Sequence, residues 1–506
     1  MASLSALSTD FLASLGALGE AVAEPLAAAL DTEPSVALRL NRRKATPIFA
    51  SLYPDMREVE WCSDGRRLAT RPIFTLNPLL HAGGFYVQDP SSMIHQQIME
   101  RIVALTGGAP LTLLDFCAAP GGKTTAMINA LPDGSAVVAN EYVPARGKIL
   151  RENLEKWGYP GIITTGAEAA DYASLGEVFD VVAVDAPCSG EGMMRKDDEA
   201  RRQWSPRLVE ECAALQRSIL SDIVSTLRPG GFLIYSTCTF NTLEDEDNSR
   251  FISEVLGLEQ VDFSDLQLAG TENVAPSLRD DVSAMRFMPH LTEGEGLYVS
   301  IFRKPGELAR YLKSAQPVPL LNLTDSRASR NAGKGAKSGK NGKSRGQGKE
   351  RPTSDTILSK EVTARLQAWF DPKWRMRFIC PAGLVSALPE DMTQLLAEIS
   401  RAGIRITAAG LPAAEIKGHD LVADSRVALS AALREDAFPR VELSEEEAMK
   451  YLRRELATLP EGTPAGFVAV CYQGLPLGLM KNLGRRANNL YPAAWRVRMS
   501  EPAATK

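Results

Sequence analysis

A doubly wound, mostly parallel α/β sheet with smaller α+β parts at both ends is the architecture that this chain of 506 residues predicts. Three observations carry it. Between about residues 110 and 305, short apolar runs alternate with segments of helical period. Those runs are apolar at successive rather than alternate positions, as in strands covered on both faces. A Gly/Ser/Lys-rich stretch then ends the pattern, and a different one begins.

The elements follow in order. "LTLLDFCA" is read as a strand and "KTTAMINAL" as the helix after it; "SAVVANEY" and "ARGKILRENLEKWG" repeat the pair. "GIITTG" and "FDVVAVDAP" are further strands. The stripe Leu208, Cys212, Leu215, Ile219, Ile223 and Leu227 marks the buried face of a long helix. "GGFLIYSTC" is the next strand, a helix starts near Leu243, and "GLYVSIFRK" (296–304) closes the sheet as its last strand, with an antiparallel course open to it. After the Gly/Ser/Lys stretch, Ser444 and Glu447 form a capping box. "GFVAVCYQGLPLGLMKNL" reads as a hairpin turning at Gln473-Gly474. The expected divisions are 1–105, 106–306, a linker at 323–356, and 357–506.

Composition sets bounds. An apolar share of 44% with 24% charged residues is ordinary globular protein. No stretch of about 18 uncharged apolar residues occurs, so no membrane partner is expected. The N-terminus lacks a basic region and carries Asp10, Glu20 and Glu24, which suits an amphipathic helix rather than a signal peptide. A cytoplasmic monomer is the expectation. Seven cysteines without a C-x-x-C pair argue against a disulfide framework and against a metal site. Cys62, Cys212, Cys380 and Cys471 are read as core thiols.

Net charge is −5, yet residues 326–351 hold nine Lys/Arg against one Glu. Such a segment reads as a flexible tether or as a tail that tracks phosphates. Arg42, Arg43, Lys44, Lys481, Arg485 and Arg486 are further candidate phosphate contacts. Arg195, Lys196, Arg201, Arg202 and Trp204 suit single-stranded nucleic acid, although a solvated helix face explains them equally well. "EDED" (244–247) reads as helix N-terminal charge.

Two cysteines break the usual pattern. Cys188 in "DAPCSGEG" and Cys238 in "YSTCT" stand at the ends of apolar runs, and ligands bind outside the carboxyl ends of strands in such sheets. "DFCAAPGGKT" supplies a small-residue turn, Cys117, Ala118, Ala119, Pro120, Gly121, Gly122 and Lys123, which lets a ligand approach a helix N-terminus. Gly122-Lys123-Thr124 resembles the end of a phosphate-binding loop, but that motif needs glycine where Cys117 stands. A nucleoside cofactor bound in Rossmann manner fits better, with Glu141 after the second strand for its ribose.

"DFCAAPGGKT", "VDAPCSGEG" with downstream "RK" and "WSP", and "YSTCT" together resemble the Nop2/Sun family of RNA cytosine-5 methyltransferases. The C-terminal "GLPLGLMKNLGRRANNLYPAAWRVR" looks like the branch acting on 16S rRNA. The resemblance implies a Rossmann-like, seven-stranded methyltransferase sheet that uses S-adenosylmethionine. It implies RNA as partner, with 1–105 and a PUA-like 357–506 binding it. Cys238 is then the nucleophile and Cys188 the residue assisting proton removal or release, with Asp185 the acid at cytosine N3. Sequence logic alone leaves the two cysteines interchangeable, because a thiolate at either position activates the ring. At the third strand the family places Asp near the adenine edge; here Gly166 and Glu168 stand instead, either of them open to that task. The same chemistry on transfer RNA and a non-catalytic RNA-binding factor are the alternatives.

Overall fold

The computed structural model describes residues 4–309, 311, 358–417 and 420–499. The linker expected at 323–356 lies outside them.

The central sheet is built as the apolar runs require. Its strands are β1 (Thr112–Asp115), β2 (Ala136–Asn140), β3 (Ile162–Thr165), β4 (Phe179–Asp185), β5 (Leu227–Thr237), β6 (Met285–Phe287), β7 (Leu297–Arg303) and β8 (Ile406–Ala409). They lie in the order β6-β7-β5-β4-β1-β2-β3-β8, and two short outer strands, 259–260 and 275–276, join at the β6–β7 side. β1 to β5 run parallel; β7 runs antiparallel to β5, with Tyr298 opposite Thr237. Val181, Val182, Leu113, Leu114, Val137 and Val138 are all fully buried, so both faces of the sheet are covered. That explains runs without alternation.

Helices cross over between the parallel strands: Gly122–Ala130, Pro144–Trp157 and Pro206–Ile223. The last buries Val209, Cys212, Ile219, Leu220 and Ile223 along one side. Val–Ile–Leu strands and these crossovers force every strand from β1 to β5 to end at the same edge, where the cavity lies.

The flanking parts are not separate bodies. An N-terminal helix pair, Thr9–Leu15 and Glu20–Leu30, buries Phe11, Leu15, Leu26 and Leu30 against Met194, Trp204, Phe240 and Met288, which belong to the cysteine-bearing loops and their surroundings. A four-stranded sheet follows, with Ala37–Leu40 between Cys62–Arg67 and Phe85–Val87. Past the linker, the structure shows what periodicity could not: β8 pairs antiparallel with the edge strand β3. Leu395, Leu396, Ile399 and Ala409 share a core with Ile163 and Val182. The first part of the post-linker region therefore extends the central domain. The rest carries the hairpin Gly466–Tyr472 and Leu475–Asn482, whose turn has φ 51° at Gln473 and 78° at Gly474, as a two-residue hairpin loop needs. Ser444 caps the helix Glu445–Leu452 by accepting from the Glu447 N–H.

Candidate active site

β1 ends at Asp115, and the chain turns through Phe116–Gly121 into the helix Gly122–Ala130. Gly121 sits at φ 109°, a backbone state that an L side chain resists. The turn is held from outside. Arg146 donates to the Ala119 carbonyl at 3.0 Å and Asn153 to the Pro120 carbonyl at 2.8 Å. Fully buried Arg39, from the N-terminal sheet, donates to the Gly122 carbonyl at 3.2 Å and to Thr125 Oγ1 at 2.6 Å. Asp115 accepts from Thr124 Oγ1 at 2.6 Å, and burial pushes its carboxyl up to about 7.

Beside this turn lies a cavity of about 770 Å³, within the range that encloses a cofactor-sized molecule. Phe116, Cys117, Leu215 and Ile219 line its apolar wall, and Glu141 and Glu168 bring carboxylates. Glu141 is buried; one oxygen accepts from the Val143 N–H at 2.8 Å and the other lies 3.5 Å from Arg146. The Gly166 N–H and carbonyl are both taken, by the Arg405 carbonyl and the Arg405 Nε, each at 2.9 Å. Gly166 thus has both backbone groups engaged, whereas Glu168 lines the cavity with a carboxylate that accepts from the Asp171 N–H and is hydrogen-bonded to Tyr142.

The cavity reaches Asp185, Pro187 and Cys188 at its far end. β4 and β5 run in register there, Asp185 opposite Ser236. Asp185 Oδ1 accepts from Ser236 Oγ at 2.9 Å and Oδ2 from Lys123 Nζ at 2.8 Å. Burial works against the Lys123 charge, but Asp185 wins and holds it above the usual lysine value. The sulfurs of Cys188 and Cys238 stand 3.2 Å apart, well beyond a disulfide bond length, and both are half-buried. The Cys188 thiol is pushed well above its ordinary range by its contact with Cys238 and by burial.

Sequence reading missed how these loops are fastened. Buried Glu191 accepts from the Phe240 N–H at 2.6 Å, the Asn241 N–H at 3.1 Å, Asn241 Nδ2 at 3.0 Å and Trp204 Nε1 at 3.0 Å. The Gly192 N–H donates to the Cys238 carbonyl at 2.7 Å. Glu244 accepts from the Ser189 N–H at 3.0 Å and Gln216 Nε2 at 2.7 Å. These contacts tie the Cys188 loop to the Cys238 loop. They also correct the reading of residues 244–247 as mere helix N-terminal charge: Glu244, Asp245 and Glu246 are fully buried. Asp245 accepts from Thr237 and Thr239, and Arg286 pairs with Glu246. The local signal was ambiguous, since acidic residues before a helix are common.

Several candidate nucleic-acid contacts are likewise corrected. Trp204 is buried against Phe11, with ring centroids 5.1 Å apart. Arg201 is buried, donating to the carbonyls of Leu30 and Met194 and to Asp31. Arg195 reaches the carbonyls of Glu33 and Gly294. Arg42 pairs with Asp64 and Glu100, Arg43 with Asp133, and Lys44 is buried between the carbonyls of Ala82 and Lys156. Arg485 and Arg486 are exposed.

Comparison with known proteins gives a consistent picture. A family model described as 16S rRNA methyltransferase RsmB/F matches residues 103–303. One for the N-terminal domain of 16S rRNA methyltransferase RsmF matches 7–90, and one for the methyltransferase RsmF PUA domain matches 438–497. Ribosomal RNA small subunit methyltransferase F of Erwinia tasmaniensis is 30% identical over 448 residues, 86% of this chain and 84% of that one. Its counterpart from Cronobacter sakazakii is 31% identical over 431 residues, 81% and 78%. Among solved structures, NSun6 from Pyrococcus horikoshii with SFG shares the fold, with a TM-score of 0.51 at 18% identity over 60% of this chain and 99% of the other.

Proposed function

We propose that this chain, which belongs to the RsmB/F family of 16S rRNA methyltransferases, methylates carbon 5 of a cytosine in small-subunit ribosomal RNA through a covalent bond from Cys238 to cytosine C6. One observation carries the proposal: Asp185, paired with Lys123, and Cys188, whose sulfur lies 3.2 Å from that of Cys238, line a cavity that also holds Glu141.

The residues fit S-adenosylmethionine. Cys117–Lys123, with its glycine turn, suits the methionine end; Glu141 suits ribose hydroxyls; Glu168 and the apolar wall of Leu215 and Ile219 suit the adenine. When bound, that cofactor supplies an electrophilic methyl group.

The chain's own residues do the rest. Cytosine C5 is a poor nucleophile until a sulfur adds at C6 and turns the ring into an enamine. The Cys238 sulfur forms that bond. The Lys123 charge acts on Cys238, and Cys188, held in its protonated form, is placed to donate its S–H to the Cys238 sulfur. Asp185 faces the ring nitrogen N3 and balances the charge that develops there. After C5 has taken the methyl group, the C5 proton leaves to water in the cavity as the C6–S bond breaks, and Cys188 assists release by donating its S–H again to the departing Cys238 thiolate. The base must leave its stack to enter the cavity. RNA is the partner this reading requires, and exposed Lys196, with exposed Arg485 and Arg486 in the turn after the strand Leu475–Asn482, are among the candidate contacts that the fold leaves available.

The test separates the thiols. Cys238→Ser is expected to abolish methylation of 16S rRNA and to form no adduct with RNA containing 5-fluorocytosine. Cys188→Ser is expected to accumulate a protein–RNA adduct that survives denaturing electrophoresis. The reverse pattern would make Cys188 the nucleophile and overturn the assignment.

A further inference from the structure

Behind Asp185, away from the cavity, a chain of polar groups runs into the core. Ser236 Oγ contacts Asp185 Oδ1 at 2.9 Å, His95 Nε2 contacts Ser236 Oγ at 3.3 Å, and His95 Nδ1 contacts the Ser92 carbonyl at 3.1 Å. Both Ser236 and His95 are 1% exposed, so no solvent proton enters from that side.

Counting protons along this chain is instructive. The Ser92 carbonyl accepts and never donates, and an ionised Asp185 accepts and never donates. Three contacts lie between those two acceptors, and each needs one proton. A neutral imidazole brings one and the serine hydroxyl brings one. The chain is therefore one proton short: with both ends accepting, one of the three contacts sets lone pair against lone pair. Adding a single proton completes all three, with His95 donating to Ser92, Ser236 donating to His95, and Asp185 donating to Ser236. The extra proton does not settle on the imidazole, because burial and the neighbouring Lys123 charge pull the His95 pKa down to about 3. A proton placed on Asp185, at the end that opens into the cavity, completes all three contacts instead.

We infer that Ser236 and His95 are positioning residues that give Asp185 an internal seat for one proton, so that the carboxyl passes a proton to cytosine N3 and takes it back within one turnover, without exchange with solvent. The balance closes. When Cys238 adds at C6, the electron pair of the C5–C6 double bond is pushed through the ring towards N3, which takes the proton from Asp185. When Cys238 is eliminated, N3 returns that proton to Asp185, and the chain is complete again. Lys123, on the other carboxyl oxygen, neutralises the carboxylate in the interval. Asp115 is buried with its own partner, Thr124, and Cys188 is set against Cys238.

The inference rests on Asp185 facing the cytosine ring, and the experiment keeps the two apart. Single-turnover methylation of 16S rRNA is measured for the full chain, Ser236→Ala, His95→Asn, Asp185→Asn and the double variant Ser236→Ala/Asp185→Asn, beside affinity for S-adenosylhomocysteine and KM for RNA. Ser236→Ala and His95→Asn are expected to lose at least about tenfold in the single-turnover rate, with cofactor affinity and KM within about twofold of wild type. In the Asp185→Asn background, Ser236→Ala is expected to cost nothing more, because residues acting through one group are not additive. A full-rate Ser236→Ala enzyme overturns the inference, and so does the same fractional loss in both backgrounds. A full-rate Asp185→Asn enzyme instead overturns the functional reading on which it stands.

Discussion

Glu191→Gln is the most informative single change, because it removes a charge and almost no volume. In the native structure all four partners of the carboxylate are donors: Trp204 Nε1 and Asn241 Nδ2 on one oxygen, the Phe240 and Asn241 N–H groups on the other. A glutamine amide keeps one oxygen and places an NH2 where the other stood. Whichever way it turns, two N–H donors face an N–H. Each buried donor left without an acceptor costs about 1–3 kcal/mol, so the change should destabilise by about 2–6 kcal/mol. The stranded pair matters differently for function. Loss at Phe240 and Asn241 frees the segment directly after Cys238, and a misplacement of about 1 Å costs about 10²-fold in rate. Urea unfolding gives the first number and single-turnover methylation the second. An unfolding free energy within about 0.5 kcal/mol of wild type, the range of an unremarkable surface change, together with an unchanged rate, would refute the claim that Glu191 clamps the two cysteine loops together.

Other outcomes follow from the same geometry. Glu141→Ala should weaken S-adenosylmethionine binding by about 1.5–3 kcal/mol through loss of a charge-assisted hydrogen bond; calorimetry showing unchanged affinity would remove Glu141 from the ribose. Asp115 has a folded pKa of about 7 against an ordinary 3.8, so the folded state holds the proton that the unfolded chain releases. Its contribution is complete below pH 3.8 and is lost as pH rises to 7, up to about 4 kcal/mol. Asp115→Asn should therefore gain relative stability from pH 4 to 7, and parallel stability curves for the two proteins over that window would show the shift is not there.

Much of the architecture was legible because it is written locally. Runs such as "FDVVAVDAP" are apolar at every position only if both faces are covered, which dictates helices on each side and strands that end along one edge. Gly121 and Gly122 mark the turn into a helix, and Cys188 and Cys238 are conspicuous because thiols usually lie inside such runs rather than at their ends. Class, cavity edge and the chemically telling residues thus came from patterns spanning ten residues or fewer.

What the sequence could not give is which charge meets which. Lys123 stands in the cofactor turn by sequence, yet its ammonium lies on Asp185, 62 residues away. Trp204 and Arg201 sit among cations in the chain but are buried under the N-terminal helix pair, and Glu244–Glu246 looked like helix N-terminal charge until Arg286, Thr237 and Thr239 were seen around them. The strand β8 carried no sign that it would complete an edge 240 residues upstream. Apolar burial is dictated by residue type and spacing, so it can be read along one dimension. An ion pair or a buried hydrogen bond is decided by what the fold brings within 3 Å, and that distance exists only in three.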